Sequence, residues 1–393
     1  MPWQETEPVE ERRQKLVKDY LAKKDTMKAL CAEFGVSPKT GFKWVGRFEA
    51  RGREGLRDLS KVAHHLAHKT PEEVEDMLVA LKLEFPNWGP KKQLDLMREH
   101  FPQLPRPAVS TAGEILKRYG LVKPCPQRRR KELRRATHLV EPVACNDTWA
   151  ADHKGDFALG DGSRCYPLTV TDSHSRFILA CKATRGINGQ PVRKIFERLF
   201  REHGLPARIR TDNGSPFGAN RGLAISKLSL WWMRLGIVHE RIEAGCPQQN
   251  GRHERMHATL KEVTDSPKRR ASEQQLAFDA FVEEFNHLRP HEALGMKRPA
   301  DLYESSRRQM PKELPRLQYP AHYVRREVHN NGRISFEGLN TFITKVLIGE
   351  AVGLEALTGD RFRVWAGTLP LGVIDLQQRR FCAYDEDEQR AAA

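Results

Sequence analysis

The chain has no apolar run approaching the roughly 18 residues that a membrane-spanning helix needs, which excludes such a helix. Its opening stretch, MPWQETEPVEERRQ, has no apolar segment of the kind that directs secretion. Cysteine is sparse: seven residues (31, 125, 145, 165, 181, 246 and 382) lie far apart, odd in number and never as Cys-x-x-Cys. That pattern excludes a disulfide framework and a zinc knuckle, and it fits reduced thiols in a cytosol. Nor is there an internal repeat beyond two short helical units. These absences lead us to expect a bacterial cytoplasmic protein, in contact with the nucleoid and with no membrane partner.

Positive charge is what the chain has in excess. Lys and Arg number 66 against 51 Asp and Glu, a net charge of +15 with a pI near 9.6. Charge of this sign and size speaks about partners, and nucleic acid is the partner it suggests. At 393 residues the chain exceeds what one core serves, so two to four domains are expected.

Residues 1–62 read as a helix-turn-helix DNA-binding domain. A helix from Arg12 to Ala22 is followed by a second from Thr26 to Phe34, stopped at Gly35. Ser37-Pro38 then opens a third, with Ser as cap and Pro in the first turn. Phe42, Val45 and Phe48 should face the core of that helix, leaving Lys39, Thr40, Lys43 and Arg47 open to DNA. Residues 63–122 look like a second unit of this kind. Val74, Leu78, Leu81 and Leu83 are its first apolar positions, Trp88-Gly89-Pro90 a break, and Ser110 a cap ahead of Ile115, Leu116 and Tyr119. Residues 123–140 form a linker in which prolines and arginines, Arg128, Arg129 and Arg130 among them, forbid a core and suit a phosphate backbone.

Residues 141–304 alternate strands and helices as an α/β domain does. Strands are expected at Trp149–Phe157, Cys165–Thr171, Phe177–Ala183 and Arg208–Thr211, and near Ile237–His239. Helices are expected at Gln190–His203, about 223–235, after Pro247, and about 272–287 with Leu276, Phe278, Phe281 and Phe285. Residues 305–318 read as a linker. Residues 319–382 switch to short strands parted by Gly, Asn and Asp, with Arg325, Arg326, Arg333, Arg361 and Arg363 on the outside, a pattern expected of a small β-barrel. Residues 383–393 are an acidic tail.

Three carboxylates in the α/β stretch carry the chemistry. Asp152 sits in a strand, sharing a face with Ala150, Lys154 and Asp156. Asp212 sits where a strand gives way to Asn213-Gly214, the end of an α/β sheet where ligands gather. Glu254 sits on a helix, sharing a face with Asn250, His257 and Lys261, while Met256, Leu260 and Val263 turn to the core. Such an all-oxygen set, with no Cys or His cluster, suits two Mg²⁺ ions, with Mn²⁺ able to substitute. Ions about 3.5–4 Å apart can activate an attacking oxygen and stabilise a leaving one in phosphodiester chemistry. Asp156, Asp161 and Asp172 compete with Asp152 for the first position, and Glu240 and Glu243 with Glu254 for the third. Asp161 and Asp172 belong to turns, and Asp156 is the strongest rival. Asn213 and Asn250 could orient the carboxylates. His291 reads as a packed histidine.

The segments TWAADHKGDF, YPLTVTDSHSRFILA, RIRTDNGSPF and LGIVHERIEAGCPQQNGRHERMHATLKE closely resemble the catalytic core of DDE-type insertion-sequence transposases, whose core is retroviral-integrase-like. FNHLRPHEALGMKRPADLY is similar to that family's downstream motif, and residues 319–381 to the small β-barrel that ends some members. The resemblance implies a multidomain protein: helix-turn-helix units, a central α/β ribonuclease-H-like core and a C-terminal barrel. It places the catalytic and metal-binding carboxylates on Asp152, Asp212 and Glu254, and a DNA-contacting lysine on Lys261. Residues 213–253 part Asp212 from Glu254, somewhat more than the family's usual spacing, and GANRGLAISK accommodates the surplus as a loop.

The activity so implied is that of a DNA transposase. It binds the element's terminal repeats, cleaves at the 3′ end and joins that end to target DNA by direct transesterification, as a homo-oligomer assembled on double-stranded DNA. Two other classes compete. One is a DNA-binding regulator with a catalytically silent scaffold, told apart by Mg²⁺-dependent nicking. The other is a ribonuclease-H-type nuclease, told apart by its preference for RNA–DNA hybrids.

Overall fold

A computed structural model describes residues 8–59, 70–122, 139–218, 223, 225–243 and 245–384. The chain divides into two compact units, residues 1–71 and 72–393. Arg128, Arg129 and Arg130, half of the loop GANRGLAISK and most of the acidic tail lie outside the described residues.

The first unit holds three helices, α1 (Val9–Leu21), α2 (Met27–Glu33) and α3 (Pro38–Arg51), followed by a 3₁₀ turn at Gly52–Leu56. Thr26 caps α2 by accepting from the Ala29 N–H, and Ser37 caps α3 by accepting from the Thr40 N–H. The stripe that packs inward on α3 is Gly41, Trp44, Val45 and, in part, Phe48, a true i, i+3, i+4, i+7 series. Phe42, expected inside, is 53% exposed and lies edge-on to Tyr20. The stripe is hard to read in the sequence because its first member is a glycine, which carries no apolar signal. Gly41 has to be small, since a Cβ there would press on the sulfurs of Met27 and Cys31.

The second unit opens with α4 (Glu72–Glu84), α5 (Pro90–His100) and α6 (Val109–Arg118), which share a core of Val74, Leu78, Trp88, Met97 and Leu116. Leu83 and Tyr119 are exposed, against expectation. Ser110 does not cap α6: the helix begins one residue earlier, with Ala108 in the cap position and no side-chain bond there.

The α/β region that follows is built on β1 (Thr148–His153), β2 (Phe157–Ala158), β3 (Arg164–Asp172), β4 (Ile178–Thr184), β5 (Arg208–Thr211) and β6 (Val238–Arg241). Strand β1 lies between β3, antiparallel, and β5, parallel; β6 runs parallel to β5, and β4 pairs with β3. Helices α7 (Gly189–His203), α8 (Lys227–Arg234), α9 (Gly251–Thr264) and α10 (Ala271–Glu283) complete it. Trp149, Phe196, Phe200, Ile209 and Trp232 fill one core; Met256, Leu260, Phe278 and Phe281 join Cys165 and Cys181 in another. Leu276 is 70% exposed, so the apolar positions of α10 did not all point inward.

Helices α4–α6 belong to the same unit as this sheet. The Trp88 indole N–H donates to Glu284 at 2.9 Å, and Lys91 pairs with Glu292 at 2.8 Å.

The last region holds β7 (Val324–Glu327), the hairpin β8 (Arg333–Phe336) and β9 (Leu339–Phe342), and the strands β10 (Ala351–Ala356), β11 (Arg361–Ala366), β12 (Leu369–Asp375) and β13 (Arg380–Ala383). The small β-barrel expected here is not confirmed. Pairing runs β13-β12-β11-β10-β7 and stops, leaving an open antiparallel sheet. The hairpin lies over it instead, with Ile334, Phe336 and Leu339 in one core with Val352, Leu354 and Val364. Covering one apolar face with a hairpin buries it without the edge-to-edge closure that a barrel demands.

Candidate active site

Strand β1 is central to its sheet, so Trp149, Ala150 and Ala151 are all buried and the in–out alternation expected of it is lost. Its last residues emerge at the sheet's carboxyl end. There the Asp152 side chain is 19% exposed, and the strand stops at His153 ahead of Gly155, whose φ of +84° suits only glycine well. The face-sharing expected of Lys154 and Asp156 with Asp152 therefore fails, because both lie beyond the strand. Asp156 is occupied by an ion pair with Arg164.

The other rivals are also committed. Asp161 accepts from the Ser163 N–H at 2.9 Å and its hydroxyl at 2.6 Å. Asp172 is fully buried and accepts from the Asn146 N–H and from both donors of Ser175. Glu240 pairs with buried Arg210 at 2.6 Å, and Glu243 accepts from Gln249 at 3.0 Å.

Asp212 follows the last residue of β5, and its Oδ1 accepts from the Gly214 N–H at 3.1 Å. Glu254 stands exposed in the first turn of α9. Burial, and then the negative charges of Asp212 and Glu254, push the Asp152 carboxyl up to about 7. Burial also raises Asp212.

The sequence reading placed His257 on the Glu254 face without a role and missed His253. His253 and His257, one turn apart on α9, are both buried. The Nε2 atoms of the two rings lie 2.8 and 2.7 Å from Thr169 Oγ1, and His253 Nδ1 lies 2.8 Å from Thr171 Oγ1. Thr169 has one hydroxyl proton and donates it to the Asp152 carbonyl at 3.0 Å. Its oxygen can then only accept, so the network assigns Nε2–H to both rings. His257 Nδ1 is left as a bare lone pair 3.7 Å from Asp152 Oδ2. Burial and the nearby Lys154 hold His257 down to about 3, so the ring is neutral near pH 7.

A lone pair facing a carboxylate is unfavourable unless a proton or a cation lies between them. Asp152, Glu254 and His257 offer ligand atoms that all lie within 4.8 Å of one another. This donor set fits a divalent cation. It is not the all-oxygen set expected, since an imidazole nitrogen joins two carboxylates, and Asp212 stands outside the tight group while remaining close enough to act on Asp152.

The remaining candidates are placed as follows. Lys261 is exposed on α9, 3.8 Å from Asp265. Asn213 donates to the Ile242 carbonyl at 3.1 Å, and Asn250 is buried in the turn before α9. Neither makes a hydrogen bond to the three carboxylates among the described residues. On α3, Lys39 and Lys43 are exposed and Thr40 and Arg47 half-buried. Thr40 also meets the Ser37 hydroxyl at 2.9 Å, while Lys43 and Arg47 lie 4.8 and 5.0 Å from the centre of the Trp44 ring. Lys154, at the mouth of the cluster and close enough to act on both Asp152 and His257, was seen only as a strand residue.

Two models of the integrase core domain match residues 142–247 and 235–299. A helix-turn-helix domain matches residues 12–61, and the C-terminal domain of IS481 family transposases matches 323–381. An uncharacterized 39.2 kDa protein of insertion element IS476 from Xanthomonas euvesicatoria is 28% identical over 265 residues, 65% of this chain and 72% of its own length. An uncharacterized protein of insertion element IS407 from Burkholderia multivorans is 28% identical over 165 residues. That match spans 42% of this chain and 57% of the IS407 protein, less than two thirds of its length.

Among solved structures, a chain of the simian T-cell lymphotropic virus intasome in complex with PP2A regulatory subunit B56 gamma is 17% identical, with a TM-score of 0.37 over 73% of this chain and 91% of that one. The HTLV-2 integrase catalytic core domain in complex with magnesium is 14% identical, with a TM-score of 0.31 over 42% of this chain and the whole of that one. Four matched segments, together with the insertion-element relatives, give the conclusion: the chain carries a helix-turn-helix domain, an integrase core domain and a C-terminal domain like that of IS481 family transposases, and it is similar to insertion-sequence transposases.

Proposed function

We propose that the chain cleaves the 3′ ends of its element and joins them to target DNA, with Asp152, Asp212 and Glu254 as the catalytic carboxylates. The observation that carries this reading is their convergence: Asp152 feels the charge of both others, and its ligand oxygen shares a tight group with Glu254. Two Mg²⁺ ions, or Mn²⁺ in their place, would be held by these carboxylates with His257 beside them, and would supply charge neutralisation at the reacting phosphate.

The chain's own groups do the rest. Thr169 fixes the His257 tautomer and so the direction of its lone pair. Lys154 and Lys261 meet phosphates flanking the scissile one. Lys39, Thr40, Lys43 and Arg47 on α3 read or grip the terminal repeat, Arg128, Arg129 and Arg130 contact the phosphate backbone, and Asn213 and Asn250 stiffen the turns that carry Asp212 and Glu254. Water attack on the phosphodiester at the element end releases a 3′-OH. That hydroxyl attacks a target phosphodiester, forming one ester as another breaks and liberating a 3′-OH from the target. No external energy and no covalent enzyme intermediate are required. Two ends must be joined at once, so a homo-oligomer assembles on double-stranded DNA.

The test incubates the full chain with a labelled duplex carrying the element's end and supercoiled target, with Mg²⁺ or with chelator. Nicking and joining should depend on the cation, and Asp152→Asn, Asp212→Asn or Glu254→Gln should each abolish both while end binding persists. Full activity in any variant removes that residue from the site. End binding with no cation-dependent nicking favours the silent-scaffold reading, and preference for RNA–DNA hybrid favours a ribonuclease.

A further inference from the structure

A second concentration of charge lies on the opposite side of α9. At 100° per residue, Arg252 and Thr259 lie about 160° and 140° round the helix from Glu254, and Arg255 about 100°. They line a cavity of about 100 Å³ together with Lys92, Arg176, Arg289, His291 and Asp172. That space accepts several water-sized oxygens.

The cations around it are short of counter-charge. Lys92 and Arg176 are half-buried, and the side chains of Lys92, Arg176 and Arg255 have no hydrogen bond or ion pair among the described residues. Burial and the neighbouring Arg289 push Lys92 down to about 8, and burial with Arg252 and Arg255 lowers Arg176. His291 is 8% exposed, and its Nε2 is buried without a partner. The one carboxylate in the wall, Asp172, already accepts on both oxygens from Asn146 and Ser175. Nearby acids are engaged elsewhere, Glu292 by Lys91 and Glu284 by Trp88 and, at 4.0 Å, by Arg289. Folding that crowds unpaired cations around a cavity is costly unless something negative enters it.

We propose that this cavity is a phosphate-binding site, in which Lys92, Arg176 and Arg255 surround a tetrahedral oxyanion. The phosphate comes either from a DNA backbone or from solution. In both cases the site stands apart from the carboxylate cluster, and failure of the transposition reading leaves it untouched.

The experiment titrates the full chain with inorganic phosphate at constant ionic strength against chloride. Wild type should show a saturable rise in melting temperature and a matching binding isotherm. Lys92→Met with Arg176→Asn should weaken binding about tenfold or more, asparagine being chosen because Arg176 has a φ of +65°. Without phosphate this double variant should melt no lower than wild type, because it removes mutually repelling charge. Should it prove unstable, Arg255→Gln, on an exposed side chain, carries the same comparison.

A second arm measures affinity for a mixed-sequence duplex across salt concentrations. A salt slope reduced by about one per lost contact identifies the backbone as the source. An unchanged slope with phosphate binding lost identifies free phosphate. Phosphate binding that equals chloride, or that survives the substitutions, overturns the proposal when the salt slope is also unchanged.

Discussion

Without divalent cation the carboxyl of Asp152 gives up its proton near pH 7, where an isolated aspartate does so near 3.8. Folding therefore takes up a proton between these values. The stabilisation is complete below 3.8 and is lost as pH rises through about 7. Asp152→Asn cannot carry the charge, so in chelator at about pH 8 it should melt several degrees above wild type. The gap should narrow as pH falls and close only near 3.8. A variant that melts lower at the higher pH would place Asp152 outside the cluster's repulsion. Thr169 offers a second handle, since its oxygen accepts from two buried imidazoles. Thr169→Val should cost about 1–3 kcal/mol by stranding those N–H groups. It should also depress nicking while leaving end binding intact, and Thr169→Ser, which keeps the hydroxyl, should restore both. Denaturation midpoints and nicking rates check this pair, and equal behaviour of Val and Ser would dismiss the tautomer argument.

Elements of this chain succeed or fail by which face they bury. The stop after α3 is set by close backbone packing: a Cβ at Gly55 would collide with the Arg47 carbonyl. Gly55→Ala should therefore destabilise the first unit by about 1–3 kcal/mol and weaken end binding in proportion to the unfolded fraction. Thermal melts and a binding titration read this out, and an undisturbed melt would mean the turn relaxes freely. The same principle explains which sequence expectations held. The cap at Ser37 was legible because it acts within four residues. The buried Trp44 and exposed Phe42, the exposed Leu83 and Leu276, and the early start of α6 were not, because each depends on what another element presents. At the site, Asp152 was legible as a strand residue and Asp212 as a strand-end residue. The displacement of Asp156 into a pair with Arg164 depended on the turn at Gly155, and His253 and His257 gave no signal as a hydrogen-bonded pair because their partners lie on β3, far away in sequence.

For the molecule as a whole, a net charge of +15 is a statement about salt. Binding to duplex DNA of any sequence should weaken linearly on a log–log scale as salt rises. A footprint of six to ten phosphates loses about 10³–10⁵ in affinity between roughly 50 and 200 mM. Fluorescence anisotropy across that range checks it, and a flat response would mean the basic surfaces serve solubility alone. Some properties were settled by sequence: the order of helical, α/β and β regions, the basic balance, and the placing of Asp152 on a strand and Glu254 on a helix, because composition, caps and periodicity act over short distances along a chain. Others waited on tertiary structure: an open sheet in place of a barrel, an imidazole beside the carboxylates, and a cationic cavity behind α9. Each of these depends on the separation in space of groups far apart in sequence, and burial and Coulomb interaction depend on that distance.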